Sequence, residues 1–263
     1  MQKVYEELTA AFRRNEGELS PEAYSRIVRK HTTLFEDGET IYLLLQASGY
    51  PIETDGERYR YRPWFTPYRE ETYCVVDIET NGSKPEKSQV IEIGAVKIKH
   101  GEIIDRLETY VACAYLPGQI IKLTGIEPED LVGAPSRREA LTLLRDFLDD
   151  TIFVAHNVQF DHTFLSASFE RFGLGSIGNP RLCTIELAKR TFESERYGLA
   201  YLNETLDLGA SVQHRAFCDA RAASKVMLKS FETVPEYVVS TDDLLRFSVS
   251  STNERKRKAR ATV

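Results

Sequence analysis

Two acidic residues stand one position apart in the segment YCVVDIET, and their spacing gives the first indication of chemistry. Along a β-strand, Asp77 and Glu79 point to the same face. The opposite face carries Val76, Ile78 and Thr80. Two carboxylates on one face of an otherwise apolar strand are costly unless they are paired or bind a cation. The alternative is an edge strand whose end protrudes into water, which the apolar run before Asp77 disfavours.

Two further acids stand where predicted elements meet. Asp161 lies where a strand gives way to a helix, and Asp219 lies near the start of a later helix. Each alone could be an acid that the helix dipole favours near an N-terminus. Together with Asp77 and Glu79 they form a set of hard oxygen ligands, which suits Mg²⁺ or Mn²⁺ and not zinc. Two such ions about 4 Å apart can activate a water and stabilise the leaving oxygen of a phosphodiester.

His214 stands five positions before Asp219 in the segment SVQHRAFCDARAA. Alone, it could be an ordinary residue at a helix end. An activated water needs a base, and a histidine is well suited to take its proton near neutral pH. His214 is therefore a candidate for this base, and the role of an ordinary helix-end residue stays open at this point. The other histidines near these acids are interpreted differently, with His156 as a structural or substrate-side residue and His162 as a solvated helix position.

The elements that must position these residues divide the chain into three parts. Residues 71–233 have an α/β pattern, and the first hairpin of this part turns at His100-Gly101. Three leading strands in a meander, followed by strands that alternate with helices, predict a mixed five-stranded sheet covered by helices. Residues 1–70 are predicted to form a separate small module, and residues 234–263 a polar, basic tail.

The first 70 residues combine helical patterns with a hairpin. Ser20 and Pro21 form a helix start signal, and the Asp55-Gly56 pair predicts a hairpin turn. Helices followed by a hairpin suggest a winged-helix-like module. In its last strand, alternate positions are arginines and tyrosines. The arginine face could contact phosphate, but a solvated face over a tyrosine-packed core is the favoured interpretation.

Composition and charge limit the classes of protein that this chain can be. The 263 residues carry a net charge of −6, which excludes a basic, nonspecific nucleic-acid coat protein. No apolar run approaches the roughly 18–20 residues that cross a bilayer, and no signal peptide is evident, so we expect no membrane association. The four cysteines lack CxxC spacing, which predicts reduced thiols and a cytoplasmic location.

Three segments together resemble the DEDDh 3′–5′ exonucleases, which have an RNase H-like fold. They are DIET at residues 77–80, HNVQFDHTFL at residues 156–165 and HRAFCDA at residues 214–220. Within the family, the chain is similar to the proofreading epsilon subunits of bacterial DNA polymerase III. The resemblance implies metal ligation by Asp77, Glu79, Asp161 and Asp219, with His214 as base. It also implies contacts with the substrate from Thr80, Asn157, Leu123, Thr124, Gly125 and Ile126.

The activity implied by this resemblance is metal-dependent 3′–5′ hydrolysis of DNA that releases 5′-mononucleotides. We expect two Mg²⁺ or Mn²⁺ ions, a single-stranded or frayed 3′ end as substrate, and a role in proofreading as a DNA polymerase subunit. An exonuclease that trims RNA or degrades oligoribonucleotides is the first alternative, because 2′-OH recognition depends on details of the cleft. A noncatalytic nucleic-acid-binding adaptor is disfavoured because all five catalytic positions are present.

The C-terminal tail contains one apolar cluster, in the segment TDDLLRFSVSS. It faintly resembles the short apolar pegs that bind sliding clamps, with Leu245 and Phe247 as anchors. The usual glutamine is absent, so a patch that packs against another partner is an equal alternative.

Overall fold

The computed structural model describes residues 1–31, 38–209 and 214–251. Its first part contains three helices and a three-stranded antiparallel sheet in the strand order β1-β3-β2. These elements are α1 (Gln2–Arg14), β1 (Glu18–Leu19), α2 (Pro21–Val28), α3 (Gly38–Ala47), β2 (Ile52–Thr54) and β3 (Tyr59–Tyr61).

Local signals account for much of this first part. Ser20 caps α2 by accepting a hydrogen bond from the Ala23 N–H at 3.2 Å. Tyr61 of β3 is buried, whereas Arg58 and Arg60 on the alternate positions form ion pairs with Glu18. The arginine face is therefore solvated and paired within the chain, over a tyrosine-containing core. The winged-helix comparison stays a prediction.

The remaining elements form the predicted α/β part and the segment after it, joined to the first part by the short helix α4 (Arg62–Phe65). The strands are β4 (Tyr73–Thr80), β5 (Val90–Lys99), β6 (Glu102–Tyr110), β7 (Ile152–Ala155) and β8 (Arg181–Cys183). The helices are α5 (Gly118–Thr124), α6 (Arg137–Leu148), α7 (Val158–Arg171), α8 (Thr184–Thr191), α9 (Leu199–Thr205), α10 (Ala216–Phe231) and α11 (Thr241–Val249). A single 3₁₀ turn, Pro128–Leu131, lies between α5 and α6.

The strands form one mixed sheet in the order β6-β5-β4-β7-β8. β4, β5 and β6 are antiparallel, whereas β7 and β8 run parallel to β4. The β5–β6 hairpin turns at His100 and Gly101, which both have positive φ, at 52° and 81°. The predicted mixed five-stranded sheet is confirmed.

Helices cover both faces of this sheet. Cys74, Val76 and Ile78 of β4 pack on the side of α6 and α7. Val75 of the same strand packs on the side of α10, in a cluster that includes Met227. This alternation follows from the period of two along a strand. It leaves Asp77 and Glu79 on the α10 side, near the end of β4.

The segment after residue 234 differs from the predicted polar tail. Helix α11 begins with a capping box at Ser240, and Leu244, Leu245 and Phe247 are at most 7% exposed. These side chains belong to the core that α10 covers. The interpretation of Leu245 and Phe247 as exposed anchors for a sliding clamp is therefore wrong, because their apolar surface is already buried.

Two predictions concern residues beyond these ranges. The basic run of the C-terminal tail lies outside the described residues, as do residues 211–213 of the segment that contains His214. The boundaries drawn after residues 70 and 233 stay predictions. Within the described ranges, no helix combines the length and the hydrophobicity that a bilayer-spanning segment needs.

Candidate active site

Asp77 and Glu79 lie near the end of the central strand β4, on the face covered by α10. Both side chains are half-buried. Burial, followed by repulsion from neighbouring carboxylates, raises the pKa of Glu79 to about 8 and places that of Asp77 well above its ordinary value. The neighbours that repel Asp77 include Asp161 and Asp219. The acids from separate segments are therefore close enough to interact.

Asp161 reaches the same region from the first turn of α7. Asn157 precedes this helix in the left-handed conformation, with φ of 75°, and so provides the sharp change of direction from β7 into α7. The Asp161 side chain is only 3% exposed. Its burial raises its pKa to about 7, although backbone hydrogen bonds at Asp161 and Ile78 oppose this shift.

Asp219 lies in the first turn of α10, which begins at Ala216, three residues earlier than the predicted start near Asp219. The start of this helix crosses directly over Gly94 of β5, the residue paired with Asp77. A Cβ added to Gly94 would lie 2.1 Å from the Ala216 carbonyl carbon and 2.1 Å from the Phe217 nitrogen. The absence of a side chain at Gly94 is therefore what allows α10 to bring Asp219 to the sheet.

His214 is exposed and has a left-handed backbone conformation, with φ of 57°. Its backbone N–H donates a hydrogen bond to Asp219 Oδ2 at 3.0 Å. Each of His214, Asp219 and Glu79 offers a ligand atom, and these three atoms lie within 4.8 Å of one another. The predicted base and two predicted ligands thus meet at one point.

The donor set of this site fits a divalent cation. Buried carboxylates normally require a partner, because an isolated buried charge is strongly unfavourable. Here burial, followed by repulsion from neighbouring carboxylates, raises the pKa values of Asp77 and Glu79. A hard cation would relieve this repulsion, and oxygen ligands suit Mg²⁺ or Mn²⁺.

The predicted substrate contacts fall into exposed and buried groups. Asn157 and Leu123 are exposed, with Leu123 at 52%. Thr80 is buried beside Glu79, while Thr124 and Ile126 are also buried. Thr124 donates its hydroxyl to the Ile120 carbonyl at 2.9 Å, and Gly125 ends α5 with φ of 68°. Leu123, Gly125 and Asn157 are therefore the exposed members of this set and the best placed to touch a substrate, and the roles of all six stay predictions.

Two histidines near the site have structural surroundings. His156 Nε2 donates to the Tyr197 carbonyl at 2.8 Å, and its Nδ1 then accepts from the Thr184 hydroxyl at 2.8 Å. His162 is 8% exposed and packs edge-on against Phe153 at 5.6 Å. Its prediction as a solvated position is wrong because the side chain points toward β7, where burial lowers its pKa to about 4.

Sequence reasoning missed an ion pair beside the acids, between Glu92 and Arg215. Glu92 is 1% exposed, and Arg215 Nη2 donates to its Oε1 at 2.9 Å. The signal in the sequence was an acid inside the apolar strand VIEIGAV. In the structure this acid lies opposite Glu79 in the β4–β5 pair. Spacing alone does not reveal that an arginine beside His214 would pair with it.

Comparisons with known proteins agree with this arrangement. Residues 74–227 match the RNase_T family, described as exonuclease. The chain is 35% identical over 206 residues to DNA polymerase III PolC-type of Staphylococcus haemolyticus, which covers 77% of this chain but only 14% of that protein. It thus spans about one seventh of the relative's length.

Solved structures of Escherichia coli exonuclease I share the fold. The complex with a dT13 oligonucleotide has a TM-score of 0.55 at 19% identity, covering 62% of this chain and 41% of that one. The complex with a dA16 oligonucleotide has a TM-score of 0.57 at 19% identity, covering 72% and 45%. The family match covers more than half of the chain, and the three acidic motifs converge at the sheet end. The chain therefore belongs to the exonuclease family, as a DEDD 3′–5′ exonuclease of the RNase H-like fold.

Proposed function

We propose that this chain is a metal-dependent exonuclease that removes nucleotides from the 3′ ends of DNA and edits for a DNA polymerase. The observation that carries the proposal is the meeting of Glu79, His214 and Asp219, whose ligand atoms lie within 4.8 Å of one another. Asp77 and Asp161 belong to the same acidic group, since the Asp161 carboxylate repels that of Asp77 and helps to raise its pKa. The family match supports the reaction type.

Asp77, Glu79, Asp161 and Asp219 would hold Mg²⁺ or Mn²⁺. When bound, two such ions activate the attacking water and stabilise the leaving oxygen. The four carboxylates of the chain would form the metal-binding site for this chemistry. Asp219 also fixes the backbone of His214 through the 3.0 Å hydrogen bond, so a ligand and the proposed base are mechanically connected.

The proposed reaction is hydrolysis of the terminal phosphodiester. The water oxygen forms a bond to phosphorus while the bond to the 3′ oxygen of the neighbouring nucleotide breaks. His214 takes the proton of the water and passes it to solvent, and the leaving 3′ oxygen gains a proton. The products are a 5′-mononucleotide and a shortened strand with a 3′-OH. The exposure of the His214 side chain is consistent with proton exchange with solvent.

The test is an assay with 5′-labelled strands in Mg²⁺, in Mn²⁺ and in chelator. We expect a ladder of shortened products with either metal, none in chelator, and 5′-mononucleotides by mass spectrometry. His214→Ala should lower the rate by about 100-fold or more, as expected for loss of a general base. His100→Ala is a matched control, because it also removes an exposed histidine with positive φ, in the β5–β6 turn. Survival of full-length DNA and RNA in both metals would contradict the proposal.

The editing role rests on the similarity to DNA polymerase III PolC-type, of which this chain matches only a small part. Removal of a mismatched 3′ nucleotide should be faster than removal of a paired one, because the terminal base must leave the duplex to enter a single-strand cleft. Equal rates on mismatched and paired 3′ ends would contradict the editing role and leave the proposed exonuclease activity unaffected. RNA of the same sequence serves as the third substrate and decides between DNA and RNA.

A cytoplasmic location is part of the proposal. Its support is chemical, because all four cysteines are free thiols and disulfides are rare in that compartment.

A further inference from the structure

A fifth acid, Glu92, lies on the same face of the sheet as Asp77 and Glu79. It is directly opposite Glu79 in the antiparallel β4–β5 pair, where cross-strand side chains are neighbours. Its side chain is 1% exposed. By position alone, Glu92 could be another metal ligand.

The hydrogen bonds of Glu92 assign it to a different task. Oε1 accepts from Arg215 Nε at 3.1 Å and from Nη2 at 2.9 Å. Oε2 accepts from the Ala216 backbone N–H at 3.0 Å. The carboxylate is thus occupied by a bidentate guanidinium and a helix N-terminal amide, which are strong, directional partners. Arg215 is held further by its 2.8 Å hydrogen bond to the Tyr110 hydroxyl.

The residues that Glu92 binds directly follow His214 in the chain. Arg215 is the N-cap of α10, and Ala216 is its first residue. On its other side, the His214 backbone N–H is bound by Asp219. The left-handed backbone of His214 is therefore fixed by the following two residues and by its own N–H. A change at Glu92 would release the backbone at the start of α10, directly after His214.

We propose that Glu92 is a positioning residue that, through Arg215 and Ala216, holds His214 over the acidic site. This inference rests on the proposed function, in which His214 is the base. Glu92 contacts neither substrate nor the reacting atoms in this scheme, and its positioning contribution passes through the histidine. Its charge also helps to raise the pKa of Glu79 and of Asp219, an effect that the Arg215→Lys variant separates from positioning because it leaves Glu92 in place. A purely structural ion pair would contribute to stability alone.

The main variant is Glu92→Gln, which places an amide NH₂ against either the Arg215 or the Ala216 donor. Arg215→Lys is the second variant, because it keeps the positive charge next to the buried carboxylate and loses only the bidentate geometry. Glu71→Gln is the matched control. Glu71 is likewise 1% exposed and paired with an arginine, Arg62, but this pair lies before β4 and away from the acids.

Three measurements distinguish positioning from stability. The first is kcat and KM on single-stranded DNA, where Glu92→Gln should lower kcat by about 10- to 100-fold with KM changed less than about twofold. The second is a double-mutant cycle with His214→Ala. In a chain that already carries His214→Ala, adding Glu92→Gln should lower kcat by less than about twofold. The third is the ¹⁵N-imidazole NMR spectrum of the metal-free protein. The His214 signal should shift or broaden in Glu92→Gln and in Arg215→Lys, and stay fixed in Glu71→Gln.

Each result decides the matter. Full additivity in the cycle, an unmoved His214 signal, or an equal loss of kcat in Glu71→Gln would overturn the positioning role. An inactive wild-type protein would refute the proposed function, and the NMR comparison would still test whether Glu92 places His214. A Glu92→Gln protein that does not fold leaves Arg215→Lys to give the same measurements.

Discussion

Gly94 provides the most direct test of how this fold builds its site, because the predicted damage can be worked out from the structure. Gly94→Ala would place a methyl group 2.1 Å from backbone atoms of Ala216 and Phe217. Ordinary contact begins near 3.4 Å, so the start of α10 would have to retreat by about 1.3 Å. Neither obstructing atom is a flexible side chain, and β5 is an internal strand of the sheet.

Two consequences follow from that retreat. Overpacking of this kind costs about 1–3 kcal/mol, and for a chain of this size it should lower Tm by about 2–12 °C. The same movement carries Asp219 and the backbone of His214 away from Glu79. Displacement of catalytic groups by about 1 Å can cost on the order of 100-fold in rate, so kcat should fall by about that factor.

The assay combines thermal unfolding with kcat on single-stranded DNA, measured below the lowered Tm. Gly198→Ala is the control, because its Cβ would meet no atom within 4 Å and its φ of −71° suits alanine. Wild-type Tm and kcat in Gly94→Ala would refute the argument that the close approach of α10 to β5 positions Asp219. A lowered Tm with unchanged kcat would show that the helix start can move without disturbing the chemistry.

Other predictions concern buried polar groups away from the acids. Burial lowers the pKa of His156 from 6.5 to about 4. The unfolded chain therefore binds this proton first as the pH falls, and His156 alone should contribute a loss of roughly 3 kcal/mol to the free energy of unfolding between pH 6.5 and 4. Compared with the unsubstituted chain, His156→Gln should gain about that much stability on acidification over this range in denaturant titrations, and an equal pH dependence of the two proteins would contradict the assignment. Asp242 is fully buried and pairs with Arg13 at 2.8 Å and Arg246 at 3.0 Å. Asp242→Asn should lower the free energy of unfolding by about 1–3 kcal/mol in urea titrations, because it removes the buried charged partner of two arginines that are themselves about a third exposed. Burial raises the pKa of Cys74 to about 12, so a thiol reagent at pH 8 should label it only after unfolding, as peptide mass spectrometry would show.

The sequence predicted those features of the site that depend on local geometry. The period of two along a strand is enough to put Asp77 and Glu79 on one face, and the structure has them there. The His100-Gly101 pair marks a turn because both residues tolerate positive φ in a two-residue hairpin, as observed. The five strands of the mixed sheet, taken along the chain, followed from the same patterns.

Features that depend on packing between distant segments could not be predicted in this way. Glu92 and Arg215 are 123 residues apart, and their pairing exists only because α10 crosses β5. His162 looks solvated in a helical pattern, but the direction of α7 turns it toward Phe153. Helix α11 had a readable local signal, the capping box at Ser240, yet its burial depends on the sheet face that it covers.

The position of α11 has a consequence for the cooperativity of the whole protein. Its first residue, Thr241, donates its N–H to the Thr66 carbonyl at 2.8 Å, and the Tyr68 N–H binds the Val239 carbonyl at 3.1 Å. Its Asp242 holds Arg13 of α1, while Leu244 packs in the core of the sheet. Helices α1 and α11, the first and last helices among the described residues, are thus linked to each other by an ion pair. A truncation after residue 233 would remove the Asp242–Arg13 ion pair and the packing of Leu244. With these contacts present, the protein should unfold in one transition, with no stage at which α1 or α11 has melted alone.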